Sequence, residues 1–476
     1  MNLVQQARIG MIWGGSTKIF NQILSWIVTI WVIRLLTPDD FAIIALNDLT
    51  IGLLLVIGKF GFQGALVKAK DLSAGQINQT FTFLMLVNIF LFFIMQLVAP
   101  EISAYLQNKS LESLIRISSL SFLLSPFITV SLALIYRNML YTKLAKLGVF
   151  INLGQIVTNL SLALLGYGFW ALAIGLLVAQ LMCAIGYSYF SGFKPKLDFK
   201  FIEIKKLRSD SNLSFFTGMA WEVMHRVDIY FINSIVGSTA LGIYRIGLSL
   251  AEKPVSLVGQ MIQQIGLSSF SKISNDTELI GQYVVKASGI IAFISFPLFF
   301  GIAAVSPNLV PLVLGEKWLL AVVPLQILCM VQLVNVLKEV TGSALFAVGQ
   351  AKRKLIHALL ILLGGTLAWM FGLQISFIFG CIAFVVIYIV WFIWHVIDTG
   401  RFINLTGYWQ QQLVSLFMSA SMFLVVYTVG LFSEDTSLLY TLILQATFGV
   451  VSYALIGWLF FKAHCITILK LLRKNR

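Results

Sequence analysis

Ionisable side chains are scarce in this sequence, and several of them fall in the middle of long apolar runs. Lys18 shares one such run with Gln22, Ser25 and Thr29, which together make a polar stripe at helical spacing. Another run carries Glu222, His225, Arg226 and Asp228. Glu222 and Arg226 stand at i,i+4 and His225 and Asp228 at i,i+3, the spacings at which helical neighbours pair. A third run holds Arg245, Glu252 and Lys253 followed by Pro254, with Arg245 and Glu252 on one helical face. Further runs contain Asn47 and Asp48, and Gln332, Asn335, Lys338 and Glu339. Charges are costly in hydrocarbon, so such groups face a bundle interior or a watery cavity. Ammonium and guanidinium groups there can replace the lost hydration of a diphosphate, while carboxylates, amides and hydroxyls suit sugar hydroxyls.

These properties set the candidate roles. Lys18, Arg226 and Arg245 are candidate cavity cations for an anionic cargo. Glu222, Asp228, Glu252 and His225 are candidates for balancing those charges or carrying a coupling ion, with His225 reading rather as a neutral hydrogen-bonding partner than as a proton carrier. Asp48, Lys338 and Glu339 are secondary candidates, the last two also readable as a satisfied pair between helices. Arg34, Lys59, Arg116 and Lys286 lie near span ends, where long side chains snorkel to the interface.

The elements that must position these groups are membrane helices. Of 476 residues, 59% are hydrophobic and 11% charged, against about 45–50% and about 25% in soluble domains. That composition excludes a water-soluble enzyme and a disordered chain. Apolar windows predict spans near 9–36, 41–66, 78–104, 113–136, 145–165, 169–191, 210–236, 240–268, 280–305, 318–347, 353–372, 375–397, 407–432 and 437–461, about fourteen in all. The expected fold class is therefore an all-α polytopic membrane protein. The first run is too long, and lacks the small-residue site, for a cleavable signal peptide.

The net charge of +14 would hint at nucleic acid in a soluble protein, but here it follows topology. Alternate connections carry Lys68, Lys70, Arg137, Lys143, Lys146, Lys194, Lys196, Lys200, Lys272, Lys352, Arg353 and Arg401, whereas the opposite side carries Lys109 and Lys317. Cytoplasmic loops collect Lys and Arg, so both termini are expected in the cytoplasm and no nucleic acid is expected as a partner.

Four parts follow: a six-helix lobe over 1–191, a basic cytoplasmic linker over 192–209, a second six-helix lobe over 210–399, and helices 13 and 14 with a basic tail over 400–476. The linker reads equally as an interfacial helix resting on anionic lipid or as a plain connection. At an offset of 200, Ile33–Ala45 meets Asn233–Arg245, both as helix–turn–helix. Val98-Ala99-Pro100 then resembles Val305-Ser306-Pro307, and Lys143-Leu144 matches Lys354-Leu355. Two six-helix units in one orientation form a parallel repeat, a transporter architecture.

Catalytic and cofactor motifs are not found. No phosphate-binding loop, zinc-protease or nucleophile-elbow motif occurs in the sequence. Cys183, Cys329, Cys381 and Cys465 are scattered singly, which suits core packing better than a disulfide framework or a metal site. No metal, no cofactor and no enzymatic activity are expected.

The stretch Arg34–Phe41 (RLLTPDDF), then Gly61–Val67 (GFQGALV), resembles the first two helices of the polysaccharide (O-antigen type, Wzx-like) flippases. Asp228, Gly237 and Ala240–Tyr244 (ALGIY) resemble the same family's second half. The family lies within the multidrug/oligosaccharidyl-lipid/polysaccharide exporter superfamily. The resemblance implies a bacterial inner-membrane flippase moving an undecaprenyl-diphosphate-linked oligosaccharide outward by alternating access. Its implied partners are that lipid-linked oligosaccharide, membrane lipids, a polysaccharide polymerase and a chain-length regulator. Lys18 is the one mid-span cation of helix 1, whereas the lipid II branch clusters arginines in its first helices, which points away from lipid II. Two alternatives stay open: an ion-coupled drug or metabolite exporter on the same scaffold, and a membrane glycan polymerase or ligase.

Overall fold

A computed structural model describes residues 25–69, 71–204, 212–270, 276–433, 437–462 and 466. Every regular element among them is helical. The first unit holds α1 (Ser25–Leu35), α2 (Pro38–Asn47), a π-helical turn (Asp48–Gly52), α3 (Leu53–Lys59), α4 (Phe62–Lys68) and α5 (Ala74–Tyr105). It continues through α6 (Ser110–Ser118), α7 (Leu120–Arg137), α8 (Tyr141–Leu164), α9 (Trp170–Ser191), α10 (Asn212–Met224) and α11 (Val227–Ile235). Then come α12 (Ser238–Phe270), α13 (Thr277–Leu314), a 3₁₀ turn (Glu316–Ala321), α14 (Val322–Ala347), α15 (Ala351–Ile375), α16 (Phe377–Thr399), α17 (Tyr408–Phe432) and α18 (Leu438–Phe460). Packing divides the chain into two compact units, Met1–Gly242 and Ile243–Arg476, with the division inside α12.

Eleven helical stretches among the described residues are long and apolar enough to cross a membrane, and they coincide with predicted spans 2–6 and 9–14. Of the other three, the first is described only from Ser25. The seventh is split into α10 and α11. The eighth, α12, carries Arg245, Glu252 and Lys253 within its length, which dilutes its apolar character.

The usual signals set the helix ends. Thr37 caps α2, with Pro38 at the first position and Asp40 closing a capping box. Ser73 and Gln76 do the same for α5, and Asp276, Ser376 and Ser437 cap α13, α16 and α18. The apolar outer faces stay open: Phe432 is 92% exposed, a burden only lipid relieves. Inward faces instead carry polar groups such as Asn88, whose amide donates to the carbonyls of Gly58 and Leu84 at 2.9 and 2.7 Å.

The first half of the linker is extended. Gly192, in the left-handed region at φ 69°, ends α9. The chain then runs without helix through Phe201, laid against the start of α5. Asp198 N–H donates to Thr82 Oγ1 at 2.8 Å, and the N–H groups of Glu203 and Ile204 donate to Gln79 Oε1 at 2.8 and 3.3 Å. Ser73 Oγ donates to Glu203, and Phe193 packs on Phe81. Over 192–201 the linker is thus an extended strap, because its backbone donors find side-chain acceptors on α5. The Lys200 N–H and the Gln79 amide hold the Asp198 carboxyl below its ordinary range. The part of the linker from 205 to 209 lies outside the described residues.

Candidate functional site

Two interrupted helical stretches meet in the first unit. The stretch 38–68 winds one π turn at Asp48–Gly52 and is broken at Phe60 and Gly61, both in the left-handed region (φ 49° and 68°). The stretch 212–235 breaks at His225 and Arg226. Interruptions of this kind free backbone groups and cluster at functional sites in membrane proteins.

Arg226 sits at the second break and joins both stretches. Its Nη2 lies 3.2 Å from Asp48 Oδ1, its Nε donates to the Asp48 carbonyl at 3.1 Å, and its Nη1 donates to the Glu222 carbonyl at 3.3 Å and to the Glu222 carboxylate. The arginine side chain is 15% exposed, against 41% for Asp48 and 39% for Glu222. Gly52 is needed for this approach: a Cβ there would lie 2.5 Å from Asp48 Oδ1 and 2.8 Å from Arg226 Nη2. Lys59, expected to snorkel, stands where Glu222 and Arg226 both act on it electrostatically. Asp48, Lys59, Glu222 and Arg226 therefore form a balanced cluster of two cations and two anions.

The i,i+4 pairing of Glu222 with Arg226 holds as expected, and Asp48 joins it from a distant part of the sequence. His225 and Asp228, expected as a pair, flank the helix break. His225 is exposed and stacks near Trp221 at 5.9 Å, while the buried Asp228 carboxylate accepts from Ile229 N–H at 2.8 Å at the start of α11. Lys18 and Gln22 lie outside the described residues; of their stripe, Thr29 spends its hydroxyl on the Ser25 carbonyl at 2.6 Å. Arg245 is half-buried, with no hydrogen bond or ion pair among the described residues, and Glu252 is exposed. Both belong to α12 beyond the unit division. The Lys338–Glu339 contact, 3.4 Å, joins adjacent residues of α14 and not two helices, with Lys338 buried and Glu339 at 60% exposure.

The segment Thr37–Asp40 turns out to build a corner. Asp40 Oδ2 accepts from Thr37 N–H and hydroxyl, each at 2.8 Å, and Oδ1 accepts from Phe169 N–H at 2.9 Å. Gly168, at φ +54°, has no room for a Cβ, which would lie 2.9 Å from Asp40 Oδ1. Asp39 Oδ1 accepts from the hydroxyls of Ser238 and Thr239 at 3.2 and 3.0 Å, and Gly242 lets its helix lie directly on the Pro38 carbonyl. The two turns paired by the 200-residue offset are thus in contact.

In the second unit, His357, His395 and Asp398, all nearly fully buried, were not among the expected site residues. The spacings Arg353/His357 and His395/Asp398, at i,i+4 and i,i+3, were the available signal. A groove of about 550 Å³ on this unit is lined by Leu413, Val414, Leu416, Phe417, Ala420 and Phe461, all apolar. Among the described residues no cluster of His, Cys, Asp and Glu is arranged to hold a metal ion.

A family model described as polysaccharide biosynthesis protein matches residues 31–323. The chain is 25% identical over 456 residues to the teichuronic acid biosynthesis protein TuaB of Bacillus subtilis (strain 168), covering 88% of each. It is 23% identical over 400 residues to the lipopolysaccharide biosynthesis protein WzxC of Escherichia coli (strain K12), covering 79% of each. Among solved structures it is similar to the lipid II flippase MurJ in an inward closed conformation, with TM-score 0.76 and 18% identity over 95% of this chain and 99% of that one. At that identity the likeness concerns the fold.

Proposed function

The chain belongs to the polysaccharide biosynthesis protein family, and from that membership and its charged, interrupted helices we propose that it flips an undecaprenyl-diphosphate-linked oligosaccharide across the bacterial inner membrane, both termini cytoplasmic, for surface polysaccharide assembly. The observation that carries this reading is Arg226, held by two carboxylates at the meeting of two broken helical stretches. A guanidinium already oriented as a fork can exchange carboxylate oxygens for phosphate oxygens without rebuilding the site. Asp48 and Glu222 keep the cation desolvated yet neutralised while no cargo is bound, which avoids the cost of a lone charge in the membrane.

Lys18 and Arg245 supply the remaining positive charge toward the diphosphate, and Asp228 and Glu252 the balancing negative charge. The two six-helix lobes rock to expose these groups alternately to each side. The apolar groove at Leu413–Ala420 and Phe461 suits a prenyl chain that stays in lipid while its headgroup crosses.

The test is genetic and chemical together. In a host lacking its own copy, Lys18→Ala and Arg245→Ala should each abolish surface polysaccharide while protein level in the membrane holds, and lipid-linked units should accumulate on the cytoplasmic face. Normal polymer from both variants overturns the cationic-cavity reading. Drug hypersensitivity with intact polymer would instead favour an exporter.

A further inference from the structure

A buried polar chain in the second unit serves none of the roles above. It runs from Thr341 on α14 to His395 on α16, back to His357 on α15, and on to Asp398 at the end of α16. Thr341 Oγ1 lies 2.9 Å from His395 Nε2, His395 Nδ1 lies 2.6 Å from His357 Nδ1, and His357 Nε2 lies 2.9 Å from Asp398 Oδ2. His357, His395 and Asp398 are 1%, 2% and 2% exposed. Trp391 stacks on His395 at 5.3 Å, and Trp394 meets His357 edge-on at 4.8 Å.

Proton counting restricts what this chain can hold. Asp398 also accepts from Arg353 at 3.1 Å and Arg401 at 3.3 Å, so it is the carboxylate. His357 Nε2 must then donate to it. A neutral His357 therefore presents a bare Nδ1, and His395 Nδ1–H must donate across the 2.6 Å gap. A neutral His395 leaves Nε2 as acceptor for the Thr341 hydroxyl. Every position is satisfied with both rings neutral.

One further proton fits. It enters at His395 Nε2, after which Thr341 accepts from that nitrogen and turns its own hydrogen to the carbonyl of Lys338 or Leu337, at 3.2 and 3.4 Å. A second proton has no place, because both Nδ1 atoms would carry hydrogens pointed at each other. The chain holds no added proton or one.

Burial and the surrounding charge both act on that choice. From α14, Lys338 faces His395, its charge partly offset by Glu339. From α15, Lys354 also faces His395 and Arg353 faces His357. From α16 comes Asp398, from the following loop Arg401, and Tyr388 donates its hydroxyl to Asn335. Cations outnumber anions around the pair. Withdrawal of Lys338 or Lys354, or arrival of an anion, lowers the electrostatic cost of the added proton.

We propose that the His357–His395 pair, closed by Thr341 and Asp398, is a single-proton store that fills and empties as the protein changes conformation and so couples a proton gradient to transport. This rests on the transport reading for its consequence, but not for the proton count.

The two are tested separately. The full chain with ¹⁵N-labelled imidazoles, in lipid nanodiscs, is titrated by NMR, with signals assigned by difference against His357→Gln and His395→Gln. The expected result is uptake of one proton shared by both rings; rings that stay neutral until unfolding, or that take two protons independently, overturn the store and leave a network that only fastens α15 to α16. In phosphatidylethanolamine–phosphatidylglycerol vesicles, a fluorescent polyprenyl-diphosphoryl N-acetylglucosamine is then the probe. An imposed gradient of one pH unit should change the wild-type flipping rate by up to about tenfold, the change in proton occupancy it can drive, and His395→Gln should flip at the gradient-free rate. Equal gradient dependence in His395→Gln overturns the coupling. One-proton titration with no flipping of the probe by the wild type supports the store and instead defeats the flippase reading.

Discussion

Arg226 serves two carboxylates because its guanidinium is a rigid fork, a property that lysine lacks. Arg226→Gln leaves Asp48 and Glu222 facing each other with nothing between, which should cost about 1–2 kcal/mol for so partly exposed a site. Adding Asp48→Asn should return part of that loss, and thermal unfolding of the four proteins of the cycle in detergent reads the coupling. Arg226→Lys should preserve stability better than Arg226→Gln yet fail to support surface polymer. Asp198 gives a prediction in pH. Its carboxyl is held below the ordinary carboxylate range, so its own share of the strap's attachment to α5, the bond from the Gln79 amide, is complete above about pH 4 and weakens as pH falls through the depressed value. Protease nicking after Lys196 or Lys200 should rise on acidification, and Asp198→Asn should flatten that rise. Half of the Arg226 site was legible: the Glu222 spacing names the pair, but Asp48 lies 178 residues away along the chain, and no local pattern reports a contact that tertiary packing makes.

At the level of elements, the apolar windows located the helices well, because hydrocarbon thickness and helical rise leave little freedom in span length. They could not show where a helix breaks. The π turn at Asp48–Gly52 and the break at His225–Arg226 contain no proline; the ion pairs of Arg226 join them. Gly52 and Gly242 mark the closest approaches. Gly52→Ala should push Asp48 off Arg226, an overpacking loss of about 1–3 kcal/mol, visible as a lower unfolding temperature. Gly242→Val should part its helix from the Pro38 carbonyl and loosen the Asp39 contacts with Ser238 and Thr239, so a cysteine at Ser238 should become more reactive to a polar maleimide. Unchanged reactivity would mean the corner is not held by that approach.

For the whole molecule, the class and the family were readable early, since composition excludes solubility and the RLLTPDDF segment carries the likeness. The role of that segment was not: its polar residues build a corner, as the hydrogen bonds of Asp39 and Asp40 show. The loop charges predict sidedness. With native cysteines replaced, Lys109→Cys should label in intact cells and Lys196→Cys only after permeabilisation. The Asp40 bonds carry a mechanical consequence. One oxygen is committed to Thr37 and the other to the amide of Phe169, so prising the two corners apart would strand a main-chain donor at about 1–3 kcal/mol. That cost ties the turn between α1 and α2 to the turn between α8 and α9, so these four helices resist being parted at this point.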